Sequence, residues 1–119
     1  MSRLSYKLGE IAPFRYGKAL PAISRQSGHV PVVSSGGITG THNIPLIEEP
    51  CIVIGRKGSI GSVYYMEEPC FPIDTVFYTQ GSDHIHLKYL YYLLKMLPLT
   101  HMNNDSAVPG LNRAQAEEL

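Results

Sequence analysis

The sequence contains no apolar run approaching the ~20 residues needed to cross a bilayer. Its first ten residues, MSRLSYKLGE, lack the apolar core of a secretory signal. The expected compartment is therefore the cytoplasm, and no membrane association is expected. Only two cysteines are present, too few for a disulfide scaffold. Cys51 and Cys70 each follow Glu-Glu-Pro and precede an apolar residue, which suits a small buried hydrophobe. There is no low-complexity tract, and the formal net charge is zero, unlike that of a general nucleic-acid binder. The 119 residues suit one domain, and a hydrophobic content of 44% is enough to fold it.

Complete catalytic motifs are also missing. A phosphate-cradling loop needs Gly, four residues, then Gly-Lys-Ser/Thr opening a helix. Here Lys57 precedes its glycine, and β-branched and aromatic residues follow. Gly55, Gly58 and Gly61 are spaced three apart, which is not the G-x-G-x-x-G dinucleotide pattern. ATP and NAD are excluded as ligands of this turn, and no cofactor is expected. His84 and His86, with His42 and His101, lack the Cys or carboxylate pattern of a zinc-type site. Ser59, His42 and Asp74 make a hydrolase triad on paper, but no Gly-x-Ser-x-Gly nucleophile turn supports it. Glu48-Glu49 and Glu67-Glu68 each precede a proline and suit solvated turns better than a general acid/base pair.

What stands out instead is Cys51–Tyr65, CIVIGRKGSIGSVYY. Ile52, Val53 and Ile54 read as a buried strand, and a second strand-like run covers Ser62–Met66. Between them Arg56 and Lys57 sit on a turn framed by the three glycines, which permit tight turning and close backbone approach. A guanidinium and an ammonium at such a tip can meet a phosphate or a base edge. Solvated charges on an ordinary hairpin are the plainer alternative.

Charge is unevenly placed along the chain. Residues 1–60 carry seven cations and three anions (+4), and residues 61–119 carry three cations and seven anions (−4). This suits a basic binding face and an acidic remainder unless folding remixes the halves.

The remaining pattern is strand-rich. Leu4–Ala12 reads as a short strand or helical turn closed by Pro13, and Phe14–Gly28 as a polar loop. Val30–Val33 reads as a strand, Ser34–Gly40 as turn chemistry throughout, and His42–Pro50 as a connector. Phe71–Thr79 reads as one strand with Pro72 starting it at an edge and Asp74 mid-strand. EEPC occurs at Glu48–Cys51 and Glu67–Cys70, the same lead-in turn used twice. Leu87, Leu90, Tyr91, Leu94 and Leu97 recur at helical spacing, and Pro98 ends that helix. Its tyrosines suit core packing, with base stacking as the alternative. Asn103–Asn112 is a polar loop, and Asn112 caps a last helix over Arg113–Leu119. Strands outnumber helices and do not alternate with them. The expected class is α+β, a β-rich antiparallel domain with a C-terminal helical segment.

Several pieces stand in one order. They begin with Leu8-Gly9-Glu10-Ile11, Gly17-Lys18-Ala19-Leu20-Pro21 and Val30-Pro31-Val32. Ser35–Gly40, Ile54–Val63 and Pro72–Phe77 follow. The series closes with Tyr89–Leu94 and Ala107-Val108-Pro109-Gly110-Leu111-Asn112-Arg113. This ordered set resembles the target recognition domain of type I restriction-modification specificity subunits, over nearly the whole chain.

The resemblance implies a twisted, β-rich recognition domain that reads a few base pairs of double-stranded DNA and has no chemistry of its own. In that family, two such domains joined by long helices read a split site. The subunit docks DNA-methyltransferase (modification) subunits, and restriction subunits add the nuclease. One recognition domain is expected over residues 1–119, stopping where a spacer helix should begin, with pairing to a second domain possible. The residues expected to meet DNA are Arg15, Lys18, Arg25, Ser35, Arg56, Lys57, Ser59, Asn104, Asn112 and Arg113. The glycine-rich turn is expected to supply scaffold and backbone contacts. Phe14–Gly28 and Thr79–His86 are expected to hold the base code. The alternative is a small cytoplasmic hydrolase or metal-dependent enzyme domain.

Overall fold

In the computed structural model, residues 13–81 and 86–96 are described. In chain order the strands are Arg15–Tyr16 (β1), Val30–Ser34 (β2), Gly37–His42 (β3), Cys51–Gly55 (β4), Val63–Met66 (β5), Phe71–Pro72 (β6) and Val76–Thr79 (β7). Helix Leu87–Met96 (α1) follows. The readings made for Leu4–Ala12 and for Asn103–Leu119 lie outside the described residues.

β4 organises the rest. It is buried at every position, so it carries the apolar run that a strand covered on both faces requires. Successive side chains point to opposite faces. Ile52 and Ile54 join Phe14, Phe77, Leu90 and Leu94 in one core cluster. Cys51 and Val53 join Val33, Ile47, Cys70 and Val76 in a second. The first cluster lies between the larger sheet and α1. The second lies between the larger sheet and a smaller one.

The larger sheet has the order β1-β7-β4-β5, and every pairing in it is antiparallel. The smaller sheet has the order β3-β2-β6. There β2 pairs with β3 antiparallel and with β6 parallel. The architecture is the expected α+β class, antiparallel apart from that one pair.

α1 forms where its leucine spacing places it. Leu90 and Leu94 are fully covered, with Leu87, Tyr91 and Leu93 packed beside them. Tyr91 meets the Tyr65 ring at 5.7 Å between centroids, so core packing describes Tyr91. Tyr89 and Tyr92 are more than half exposed and do not share that role.

Three sequence expectations are corrected. Ser34–Gly40 is not turn throughout. Ser35 and Gly36 make a two-residue turn, and Gly37–His42 pairs along β2 with a register shift between Val32 and Val33. The ladder to β2 overrides the weak strand preference of glycine. Phe71–Thr79 is not one strand. Pro72 has no N–H to extend a ladder, and Val76 N–H bonds the Ile73 carbonyl at 3.2 Å. The chain thus turns at Asp74 and Thr75 and passes from the smaller sheet to the larger. Asp74 consequently lies in an exposed turn, not mid-strand. Within Phe14–Gly28, Arg15 and Tyr16 add an edge strand to β7, and Ala22–Ser24 form a 3-10 turn. The rest of that segment is irregular, as expected.

Leu90→Ala empties a site at the meeting point of α1 and β4. It should cost ~2–5 kcal/mol of stability, measurable by denaturant unfolding followed by circular dichroism.

Candidate nucleic-acid interface

Strand register places three turns at one end of the domain. Gly55 on β4 pairs with Val76 on β7, and Ile54 pairs with Val63 on β5. The β4–β5 turn therefore lies beside the start of β7. Ser35 and Gly36 between β2 and β3, and Ile73–Thr75 between β6 and β7, close the same end.

Hydrogen bonds tie these turns into one junction. Arg56 and Lys57 N–H groups donate to the Thr75 carbonyl at 2.9 and 3.1 Å. Ser35 N–H donates to Thr75 Oγ1 at 3.3 Å. The Ser62 hydroxyl lies 2.8 Å from both the Ser35 and the Ser59 carbonyl oxygens and shares its proton between them. Tyr64 OH donates to the Ser35 carbonyl at 3.1 Å. Lys18 joins through its N–H to the Pro72 carbonyl at 3.1 Å.

Gly58 and Gly61 have φ of 72° and 78°, the left-handed region that side chains disfavour. At Gly58 a Cβ would also lie 3.0 Å from Ser35 Oγ. Both glycines thus serve the tight turning expected of this segment.

The two adjacent cations do different things. Arg56 is half-buried. Its Nη1 donates to the Asp74 carbonyl at 2.7 Å, and its guanidinium lies 5.2 Å from the Tyr16 ring centre and 5.8 Å from that of Phe77. It fastens the turn to β1, to β7 and to the β6–β7 turn. Lys57, Gly58 and Ser59 are exposed at the tip.

Other expected site residues fall as follows. Lys18 is exposed at the junction. Ser35 is buried within it and contributes by holding the turns together. Arg15 is exposed on the edge strand β1. Arg25 is half-buried farther along, with Nε donating to the Leu20 carbonyl at 3.3 Å and Nη1 above Gly40. Asn104, Asn112 and Arg113 lie outside the described residues. Thr79 ends β7 at the pole opposite the junction, and residues 82–85 are not described. Tyr16, Ser62 and Thr75 were missed by sequence reasoning. Only the fold reveals that they converge.

Charge is separated along the strands. Lys18, Arg56 and Lys57 stand at the junction, where Asp74 is the one carboxylate among the described residues. Glu48, Glu49, Glu67 and Glu68, all exposed, stand in the turns that lead into β4 and β6 at the opposite pole. A basic end and an acidic pole thus exist among the described residues, but folding remixes the +4 and −4 halves of the sequence, bringing Glu48 and Glu49 to the acidic pole and Asp74 to the basic end.

Among the described residues the enzyme alternatives find no assembled site; His84 and His101 lie outside those residues. His42 is buried, accepts the Gln26 N–H at Nδ1 (3.1 Å), and packs edge-on against Phe71. Asp74 and Ser59 sit on separate exposed turns, and no hydrogen bond among the described residues links the three. No group of metal-ligating side chains gathers among the described residues. No described helix is long and apolar enough to cross a membrane.

The model of the type I restriction modification DNA specificity domain family matches residues 5–119. The chain belongs to that family. Membership assigns this specificity domain to DNA sequence recognition rather than catalysis, as the ordered motifs lead one to expect.

Solved structures share its fold. A type I restriction-modification S subunit from M. genitalium matches with a TM-score of 0.84 at 17% identity, covering 95% of this chain and 32% of that one. A chain from a structural study of complex assembly and conformational transition of the type I restriction-modification system matches with a TM-score of 0.74 at 14% identity. That match covers 99% of this chain and 34% of the other. The specificity domain thus spans about a third of each. No curated protein sequence matches it significantly.

Three substitutions separate scaffold from surface. Arg56→Ala should cost ~1–3 kcal/mol through the lost charged hydrogen bond and ring contacts. Lys57→Ala should stay within ~0.5 kcal/mol. Gly58→Ala should cost ~1 kcal/mol or more. Thermal melting of the three variants checks the order.

Proposed function

We propose that the domain presents the three-turn junction to double-stranded DNA. Lys57, Ser59 and Lys18 meet phosphates, and Arg56 and Ser35 hold the turns in place for that contact. The family match over residues 5–119 carries this reading. The distribution of charge supports its orientation. DNA is drawn to the end with Lys18, Arg56 and Lys57 and repelled from the end with Glu48, Glu49, Glu67 and Glu68.

Lys57 and Ser59 are exposed on a turn braced by the Arg56 and Lys57 N–H bonds to Thr75, so their side chains are available to a ligand. Phosphate contacts of this kind set position and register without selecting sequence. Base selection falls to the less patterned segment Phe14–Gly28, with Arg15 and Arg25 in it; Thr79, at the opposite pole, sets Thr79–His86 apart from this contact. Asn104, Asn112 and Arg113, which lie outside the described residues, are further candidates for DNA contact.

The domain acts in the cytoplasm as one recognition unit, with no chemistry of its own. It directs methyltransferase and restriction subunits to a split target. A single unit reading a few base pairs gains only ~1–3 kcal/mol per discriminated pair. Selective binding therefore requires a second recognition domain.

Titration with labelled duplexes at two salt concentrations tests the proposal. The isolated 119-residue chain should bind with Kd on the order of micromolar or weaker and discriminate poorly. Lys57→Ala and Lys18→Ala should weaken binding to all duplexes alike, each reducing the salt slope by about one. Unchanged affinity in both variants would refute the phosphate role. Nanomolar, sequence-selective binding by the isolated chain would refute the need for a second domain.

A further inference from the structure

The second core cluster contains two nucleophiles that DNA recognition does not use. Cys51 opens β4, and Cys70 immediately precedes β6. Both are completely buried free thiols, and their sulfurs lie 3.7 Å apart. The backbone fixes both positions. Cys51 is paired with Met66 across β4 and β5. Cys70 exchanges hydrogen bonds with Ile47 in both directions, at 3.0 and 3.1 Å. Sulfurs at contact distance on two fixed strands need only a short approach to bond.

We propose that Cys51 and Cys70 are an oxidation site, a dithiol that small neutral peroxides convert into an internal disulfide joining the starts of β4 and β6.

The chemistry follows from the pair. The thiols share one hydrogen bond and titrate together. That bond, then burial, then the charge on Cys70 hold Cys51 far above the usual thiol range. The same bond lowers Cys70. Either sulfur can donate that bond, so the two roles can exchange; in one direction Cys70 is the attacking thiolate. It displaces hydroxide from hydrogen peroxide, breaking the O–O bond and forming a sulfenic acid on Cys70. The released hydroxide takes the Cys51 proton and leaves as water. The Cys51 sulfur then attacks the Cys70 sulfur, forming the S–S bond and expelling the second oxygen, which leaves as water with a solvent proton. That proton replaces the one Cys70 lost on becoming a thiolate. Overall, two thiols and one peroxide give one disulfide and two waters.

The surroundings select the oxidant. Pro50 and Pro69, the residues before each thiol, are exposed. The sulfurs thus lie one residue below the surface, at strand ends where local opening is easiest. A molecule the size of peroxide needs only a small local opening to reach them. A bulky anionic disulfide such as oxidised glutathione meets both the close packing and the carboxylates of Glu48, Glu49, Glu67 and Glu68. The crosslink would close a loop between positions 19 apart, which restricts the unfolded chain and raises stability. In a reducing cytoplasm it would form under peroxide stress and be reversed by thiols.

The test treats the full chain with hydrogen peroxide and reads intact mass, titratable thiols and melting temperature. The expected product is a monomer lighter by two hydrogens, with no free thiol and a melting temperature higher by ~5 °C or more. Dithiothreitol should restore the starting state. Oxidised glutathione should act at least ~10-fold more slowly, as expected for thiols reached only through local opening. Cys70→Ser should form no internal crosslink.

Retention of both thiols, oxygen adducts as the main product, or crosslinked dimers would overturn the proposal. So would an internal disulfide that melts no higher than the dithiol, or equal rates with the two oxidants. The wild-type measurements decide the matter even if Cys70→Ser does not fold.

Discussion

Covering β4 on both faces constrains the domain more than any other feature. A strand with Ile52 and Ile54 on one side and Cys51 and Val53 on the other needs two separate apolar partners. α1 supplies one, and the smaller sheet supplies the second. Phe77 and Val76 on β7 repeat the arrangement next door, each in a different cluster. Because both clusters grip the same strands, the turns that leave those strands have little freedom. Gly55, Val63 and Val76 are fixed by ladder pairing, and the junction of the β2–β3, β4–β5 and β6–β7 turns follows from that registry.

The junction shows how a short basic motif becomes a shaped surface. Arg56 and Lys57 are neighbours in sequence, yet the fold assigns them opposite duties. The arginine's planar guanidinium suits a carbonyl oxygen and two aromatic rings, and it is spent inside the structure. The lysine's flexible ammonium is left in solvent. The glycines at 58 and 61 let the chain reverse within the few residues between these cations and β5. Burial of Ser35 beneath the tip gives the loop a floor.

Much of this was legible from residues. The run Ile52–Ile54, the leucine spacing of α1 and the paired Glu-Glu-Pro turns each carry a local signal that survives in the fold. Both cysteines are buried, as their apolar context suggested. The ordered motifs led directly to the family. Other features depend on contacts that no local pattern encodes. Gly37–His42 is a strand only because β2 lies beside it. The division of Phe71–Thr79 at Asp74 reflects a crossing between two sheets that the alternation of apolar residues does not reveal. The sequence marked Arg56 as a cation but gave no sign of Tyr16 stacked under it, because the two meet through pairing of β1 with β7. The contact of Cys51 with Cys70 likewise requires two strands from different sheets to start side by side.

On the proposed reading, DNA meets the basic turn junction and not the acidic pole. Amide hydrogen exchange of the domain with and without a duplex, at low salt, tests it most directly. Exchange should slow on binding at Ser35–Gly37, Arg56–Ser62 and Asp74–Thr75, and remain unchanged at Glu48–Glu49 and Glu67–Glu68. Protection confined to the acidic turns, with the junction unaffected, would contradict the account.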